Sequence, residues 1–159
     1  TDVTGLLAIA SINASGTPSA TTFLRGDGTW ATPPGGGTGG NYLTDIEQHF
    51  IEEFDFRGAD TAYFHELLHG VPADLAAIES AMEPYLDIEL EKLGPVERAV
   101  LRLAVWELKA RPDVPYRVVL SEAVALAKKF GAAESHRFVN GVLDKVARDL
   151  RPAEAARAR

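Results

Sequence analysis

Residues 95–110 read Pro95-Val96-Glu97-Arg98-Ala99-Val100-Leu101-Arg102-Leu103-Ala104-Val105-Trp106-Glu107-Leu108-Lys109-Ala110. Drawn as a helix, this segment is apolar over most of its circumference, and Arg98, Arg102 and Lys109 form one narrow polar strip. Such a helix needs neighbours on several sides, because so much apolar surface is unfavourable in water. The segment therefore predicts the central helix of an all-helical domain.

Helix-breaking and helix-capping residues divide the surrounding sequence into further helices. Asp60 or Thr61 is expected to cap a helix that ends at His69, because Gly70 is a typical stop. Pro72 suits the first turn of the next helix, from Ala73 to about Met82. The remaining helix boundaries are predicted at Pro84, Gly94-Pro95, Pro112, Pro115, Gly131, Ser135 (as a cap) and Pro152.

The last predicted helix carries a single apolar stripe at a spacing of 3.6 residues. The stripe contains Val139, Val142, Leu143, Val146 and Leu150. Together these segments predict a mainly α protein, a bundle of about five helices.

The N-terminal part has a different composition. Residues 1–44 hold nine of the 14 glycines and only three charged side chains. We predict an extended or β-rich Gly/Thr arm at 1–34, a Gly-rich linker at 35–44 and a helical domain at 45–159. Gly26-Asp27-Gly28 predicts a tight turn, which we favour over reading Arg25-Gly26-Asp27 as an adhesion motif.

Composition and charge exclude several classes. The chain has no cysteine, so disulfides, thiol nucleophiles and cysteine-bound metals are excluded. No apolar run is long enough for a membrane span, and no signal peptide is visible, which predicts a cytoplasmic protein without a membrane partner. Residues 45–97 carry a net charge of −12 and residues 117–159 carry +4. This division predicts a negatively charged partner near the C-terminal third, with solvated helix faces as the alternative.

One edge of the last helix combines an aromatic ring with cations. Phe138 lies about 100° from the centre of the apolar stripe, beside Lys145, Arg148 and Arg137. An aromatic ring flanked by bases can stack on an unpaired base while the cations hold phosphate. The alternative is that Phe138 seals the edge of the core.

The run His65-Glu66-Leu67-Leu68-His69 matches the zinc-hydrolase motif H-E-x-x-H. A third ligand is needed, and only His49 and His136 remain as histidines. We therefore predict no metal site, no cofactor and no catalytic residue. A zinc hydrolase acting through His65, Glu66 and His69 remains an alternative.

Several segments resemble the NusB transcription antitermination factors, from about Asp45 to Pro152. They are Leu93 to Leu108, Asp113-Val114-Pro115-Tyr116, Ser121-Glu122-Ala123, Ala127-Lys128-Lys129-Phe130-Gly131 and Ser135-His136-Arg137-Phe138-Val139-Asn140-Gly141-Val142-Leu143-Asp144-Lys145. The resemblance implies two small helical subdomains and a non-catalytic protein that binds boxA-type RNA together with NusE, a ribosomal small-subunit protein. It also implies that Glu134 and Phe138 lie at or near the RNA surface, and that Glu91 and Glu97 lie on the NusE side.

Two features depart from that family. Its members begin with an arginine-rich helix that nothing in this sequence matches. The stretch from Ala14 to Trp30 is instead similar to bacteriophage tail-fibre repeats, which are typically β-rich and often trimeric. We therefore expect a chimeric chain whose residues 1–44 are a possible site of homo-oligomerisation. The alternative function is a structural trimerisation module that carries a helical cargo.

Overall fold

The computed structural model describes the backbone of Phe23–Leu24, Trp30–Ala31 and residues 42–157. The chain divides into two compact units, residues 1–69 and residues 70–159. Each is described by itself.

The first unit contains a short strand pair and a helix pair. Strands β1 (Phe23–Leu24) and β2 (Trp30–Ala31) are antiparallel, with Phe23 opposite Ala31 and Leu24 opposite Trp30. These four residues are the described part of the arm predicted at residues 1–34, and its extended or β-rich form stays a prediction. The predicted turn at Gly26-Asp27-Gly28 lies outside the described residues, as does most of the predicted arm and linker.

Helices α1 (Tyr42–Glu53) and α2 (Thr61–Ala73) follow. Helix α1 begins three residues before the predicted domain boundary at residue 45. Phenylalanine rings join the two helices: Phe50 of α1 lies 6.3 Å from Phe64 of α2, and Phe56 of the intervening loop lies 5.2 Å from Phe64. Asp60 caps α2, because its Oδ1 accepts a hydrogen bond from the Tyr63 N–H at 3.0 Å.

The second unit is built around α4, as predicted. Its helices are α3 (Leu75–Met82), α4 (Pro95–Ala110), α5 (Tyr116–Phe130), α6 (Ser135–Leu150) and α7 (Pro152–Arg157), with 3₁₀ turns at Glu83–Tyr85 and Leu90–Lys92. Helices α4, α5 and α6 pack against one another, and α3 also packs on α4. Six residues of α4 are buried: Val100, Leu101, Ala104, Val105, Trp106 and Leu108. Four residues of the predicted α6 stripe, Val139, Val142, Leu143 and Val146, are buried too.

Two predicted boundaries are wrong. Helix α2 continues through Gly70 and Pro72, so Pro72 lies in its last turn and not in the first turn of the next helix. A proline ring is compatible with helical φ but removes one i→i−4 hydrogen bond, and α2 ends one residue later, at Ala73. Ser135 is the first residue of α6 and not its cap, because its hydroxyl is used elsewhere. Helix α6 ends at Leu150, before Pro152, as predicted. Pro152 also begins a further helix, α7, which takes the number of described helices beyond the expected five or so.

Candidate nucleic-acid interface

The exposed face of α6 brings the five predicted RNA-binding residues into one row. At 100° per residue, their positions fall within an arc of about 100°. The arc lies away from the buried stripe of Val139, Val142, Leu143 and Val146. The row consists of Glu134, just before the helix, and Arg137, Phe138, Lys145 and Arg148. We call these five residues the α6 face.

The cations of the α6 face are accessible. Arg137 pairs with Glu134 at 3.0 Å, and these side chains are 78% and 67% exposed. Arg148 pairs with Asp144 at 2.8 Å, and Lys145 is exposed. Exposed ion pairs contribute about 0–1 kcal/mol to stability. Each arginine can therefore leave its carboxylate partner for a phosphate group at little cost in free energy.

Phe138 is neither buried with the stripe nor fully exposed; it is half-buried. Its ring therefore borders the core while part of its surface remains accessible. Both readings of this residue, base stacking and core sealing, remain compatible with that position.

Gly141 lies in the middle of the α6 face, and sequence reasoning missed it. A Cβ placed there would meet no atom within 4 Å. Glycine in a helix interior costs about 1 kcal/mol relative to alanine, and here no packing neighbour requires it. The gap between Phe138 and Lys145 lets a ligand approach the helix backbone closely. A helix-interior glycine on the predicted polar face was the available signal.

A shallow depression adjoins the C-terminal end of this face. Tyr116, Arg117 and Arg148 line it, together with Asp144, Pro152, Ala155 and Ala156. Tyr116 is fixed there, because its N–H donates to Glu154 Oε1 at 2.8 Å. A second guanidinium and a phenol therefore lie beside Arg148, and neither was among the predicted site residues.

The two predicted protein-facing acids differ in their surroundings. Glu91 is exposed on the second 3₁₀ turn. Glu97 lies in the first turn of α4, where its Oε1 accepts hydrogen bonds from Ser135 Oγ and from the Ala132 N–H. Burial raises the pKa of Glu97, but these hydrogen bonds outweigh it and hold the pKa below its ordinary value of 4.5. Glu97 thus links the start of α4 to the start of α6.

This linkage predicts an acid-dependent contribution to stability. Because the folded-state pKa of Glu97 is lowered, its carboxylate stabilises the fold above the unfolded-state pKa, and the contribution is lost as pH falls through the folded-state pKa. We expect Glu97→Gln to melt below the wild type at pH 6, with the difference shrinking as the pH falls below about 4. Thermal melts of both proteins over this range measure the effect. A difference that does not change with pH would contradict it.

The H-E-x-x-H segment lies on α2. The His65 and His69 rings stack 4.2 Å apart, and the acid beside them is Glu47 of α1. Within residues 42–157, the group with metal-ligand geometry contains Glu47 and not Glu66. The glutamate of an H-E-x-x-H hydrolase is the general base and not a ligand, so the composition of this group does not test the role of Glu66, and the zinc-hydrolase alternative stays a prediction.

Residues 42–157 form helices and 3₁₀ turns with their connecting loops, and helix α6 of this domain carries a basic, aromatic-edged face. A family model described as the NusB family matches residues 37–148. The chain is 59% identical over 112 residues to the transcription antitermination protein NusB of Pseudomonas putida (strain W619), covering 70% of this chain and 68% of the relative. It is 58% identical over 121 residues to the transcription antitermination protein NusB of Teredinibacter turnerae, covering 76% of this chain and 82% of the relative.

A solved structure of T. maritima NusB superposes with a TM-score of 0.62 at 34% identity, covering 71% of this chain and 82% of that chain. The chain belongs to the NusB family, and the resemblance seen in the residues and the mainly α fold are both confirmed. The resemblance of residues 1–34 to tail-fibre repeats stays a prediction. Among the described helices, none is both long and apolar enough to cross a membrane.

Proposed function

We propose that this chain is a non-catalytic module of transcription antitermination that binds boxA-type RNA together with NusE. The observation that carries the proposal is the α6 face, where three cations and a half-buried aromatic ring lie in one row with an exposed glycine between them. This face belongs to a member of the NusB family. The proposed setting is the cytoplasm, with no membrane partner.

The α6 face offers two complementary contacts to single-stranded RNA. The accessible part of Phe138 stacks on an unpaired base, which is worth about 1–3 kcal/mol by alanine substitution. Arg137, Lys145 and Arg148 neutralise phosphates, with release of counterions. Glu134 orients Arg137 through their ion pair. Gly141 lets the sugar–phosphate chain lie against the helix between the ring and the lysine.

The protein partner is proposed to contact the acidic segment around the second 3₁₀ turn. Residues 83–91 contain four carboxylates, and Ile88 among them is 47% exposed. An apolar side chain ringed by acids suits a partner with a basic surface. In this proposal Glu91 contacts the protein partner directly. Glu97 lies on the same side of the domain, and its hydrogen bonds hold the start of α4 against the start of α6.

The test is a titration of fluorescently labelled boxA-type RNA into the full chain, with and without NusE, over a range of salt concentrations. We expect binding that weakens with salt and is strengthened by NusE. Phe138→Ala should weaken binding about 5- to 150-fold, the equivalent of about 1–3 kcal/mol. Lys145→Ala should lower the slope of log affinity against log salt by about 0.7, the value for one single-strand phosphate contact.

Gly141→Leu is a further test variant, and Lys128→Ala is the matched control. The leucine fills the open space at Gly141 without meeting the core, so it should block RNA while the domain still melts cooperatively. Lys128 is an exposed lysine of α5 outside the α6 face, and its loss should leave the affinity nearly unchanged. If Phe138→Ala abolishes the thermal transition, Phe138 is a core residue. If RNA binds equally well to the Lys145→Ala and Gly141→Leu variants, the interface lies elsewhere.

The alternative of a trimerisation module rests on residues 1–44, where β1 and β2 form the described pair. Light scattering after size exclusion separates the two proposals. A trimer that dissociates when residues 1–40 are deleted would favour the structural module.

A further inference from the structure

Three potential metal ligands converge on the first two helices. Glu47 Oε2 lies 2.8 Å from His65 Nδ1 and 3.0 Å from His69 Nε2. Within the described part of the chain, these side chains form the one group that places three ligand atoms within 4.8 Å of one another. None of the three belongs to the α6 face or to the acidic segment proposed for the protein partner.

The helices position each ligand. His65 and His69 are four residues apart on α2, so they share a face and their rings stack at 4.2 Å with an angle of 29°. Glu47 reaches them from α1, and its side chain is only 12% exposed. Burial raises the pKa of Glu47, but hydrogen bonds from the two histidines outweigh it and hold the pKa below its ordinary value. The carboxylate is therefore ionised at neutral pH.

The spacing suits a tetrahedral ion. Bonds of about 2.0–2.2 Å at tetrahedral angles place ligand atoms roughly 3.3–3.5 Å apart. The separations of 2.8 Å and 3.0 Å between Glu47 Oε2 and the two histidine nitrogens need to open by about 0.5 Å, and the two nitrogens lie within 4.8 Å of each other, which small side-chain rotations accommodate. His65 is 55% exposed, so an ion has a path to the site from solvent.

The surrounding charge also favours a cation. Residues 42–69 contain seven carboxylates and a single basic side chain, Arg57. A divalent ion bound to two neutral imidazoles and one carboxylate keeps one positive charge, which this acidic helix pair offsets.

We propose that Glu47, His65 and His69 form a binding site for a divalent transition-metal ion of the zinc type, which cross-links α1 to α2. Two imidazole nitrogens and one carboxylate oxygen favour Zn²⁺, Co²⁺ or Ni²⁺ over Mg²⁺ or Ca²⁺, which prefer oxygen. His65 coordinates through Nδ1 and His69 through Nε2, and each keeps its proton on the other ring nitrogen. A water molecule completes the coordination, and the bound ion stabilises the helix pair.

The test is a calorimetric titration of ZnCl₂ into the full chain, freed of any affinity-tag histidines, in a non-chelating buffer. We expect one equivalent per chain and a melting temperature that rises with zinc, because binding to the folded state alone stabilises it. Co²⁺ should bind at the same stoichiometry and show the intense visible absorption of a tetrahedral site, whereas Mg²⁺ should produce neither effect.

Single-residue variants assign the site. Losing a residue that hydrogen-bonds to a metal ligand typically weakens metal affinity about 10- to 100-fold, and losing a ligand should cost at least as much. We therefore expect zinc affinity to fall at least 10-fold in each of His65→Ala, His69→Ala and Glu47→Gln. Glu47→Gln keeps a hydrogen-bond acceptor for both rings, so its loss of zinc affinity cannot be attributed to unfolding of the helix pair. His49→Ala, on the same helix as Glu47, is the matched control and should bind like the wild type.

Two results would overturn the proposal. The first is the absence of saturable zinc binding by the wild type, which would leave the three groups as a hydrogen-bonded cluster only. The second is zinc binding that survives in all three ligand variants or disappears in His49→Ala. Circular dichroism of each variant without metal confirms that the helices are present.

Discussion

Replacing Arg151 with methionine is expected to lower the free energy of unfolding by about 3–5 kcal/mol, a large share of the 5–15 kcal/mol typical of a domain. Arg151 is buried, with only 7% of its side chain exposed. Its guanidinium donates to the carbonyl oxygens of Leu108, Val114, Glu107 and Arg111 at 2.5–2.9 Å. One side chain thus donates hydrogen bonds to the carbonyl oxygens at the end of α4 and in the turn that follows it.

The proline after α4 explains why this arginine is needed. In a continuing helix the N–H of residue 112 would donate to Leu108 O, but Pro112 has no N–H. Arg151 Nε supplies that hydrogen bond at 2.9 Å. Methionine keeps much of the aliphatic volume and removes every donor. Glu107 O and Arg111 O still accept from the backbone N–H groups of Arg111 and Val114, but Leu108 O and Val114 O lose their hydrogen bonds from Arg151. Each buried acceptor left unsatisfied costs about 1–3 kcal/mol.

Urea denaturation followed by circular dichroism measures the loss. Arg148→Met is the matched control, because Arg148 lies three residues earlier and forms only a surface pair with Asp144. Its cost should stay below about 1 kcal/mol. If Arg151→Met lost no more than Arg148→Met, the carbonyl cluster would not depend on the guanidinium.

The second large effect is expected at Gly70. A Cβ at this position would lie 2.5–2.6 Å from three atoms of the Trp106 indole, which is only 8% exposed. Alanine favours a helix by up to about 1 kcal/mol over glycine, but overpacking a core typically costs about 1–3 kcal/mol. Gly70→Ala should therefore be destabilising, against the direction of helix propensity.

Gly141→Ala is the control, because a Cβ there meets nothing within 4 Å. It should raise the free energy of unfolding by up to about 1 kcal/mol. Combining Gly70→Ala with Trp106→Phe, a smaller ring, should cost less than the sum of the two single changes. If the two losses in unfolding free energy simply add, contact with the Trp106 indole is not the reason that position 70 requires glycine.

Helix periodicity predicted the bundle because burial repeats with the geometry of the helix. The all-round apolar pattern of residues 95–110 identified α4 as the central helix, and the structure buries six of its residues. Proline signals located both ends of α4 and the start of α5, since a missing N–H acts locally. The same local reasoning failed at Gly70, where a tertiary contact with Trp106 explains the glycine.

The candidate site shows the same division. The row from Arg137 to Arg148 follows from helical spacing alone, whereas Tyr116 and Arg117 join it through the packing of α5 and α7 beside α6. The only third ligands that the sequence suggested for His65 and His69 were the two other histidines, His49 and His136. Glu47 is 18 residues from His65, and no spacing rule connects them.

By itself, the sequence determined the helices, the central position of α4 and the membership of the NusB family, because these depend on patterns within one segment. Only the tertiary structure decided that Arg151 serves the carbonyls of α4, that Glu97 holds Ser135, and that Glu47 faces two histidines. The physical reason is that a buried polar group must find a partner, and the folded packing selects which distant residue provides it.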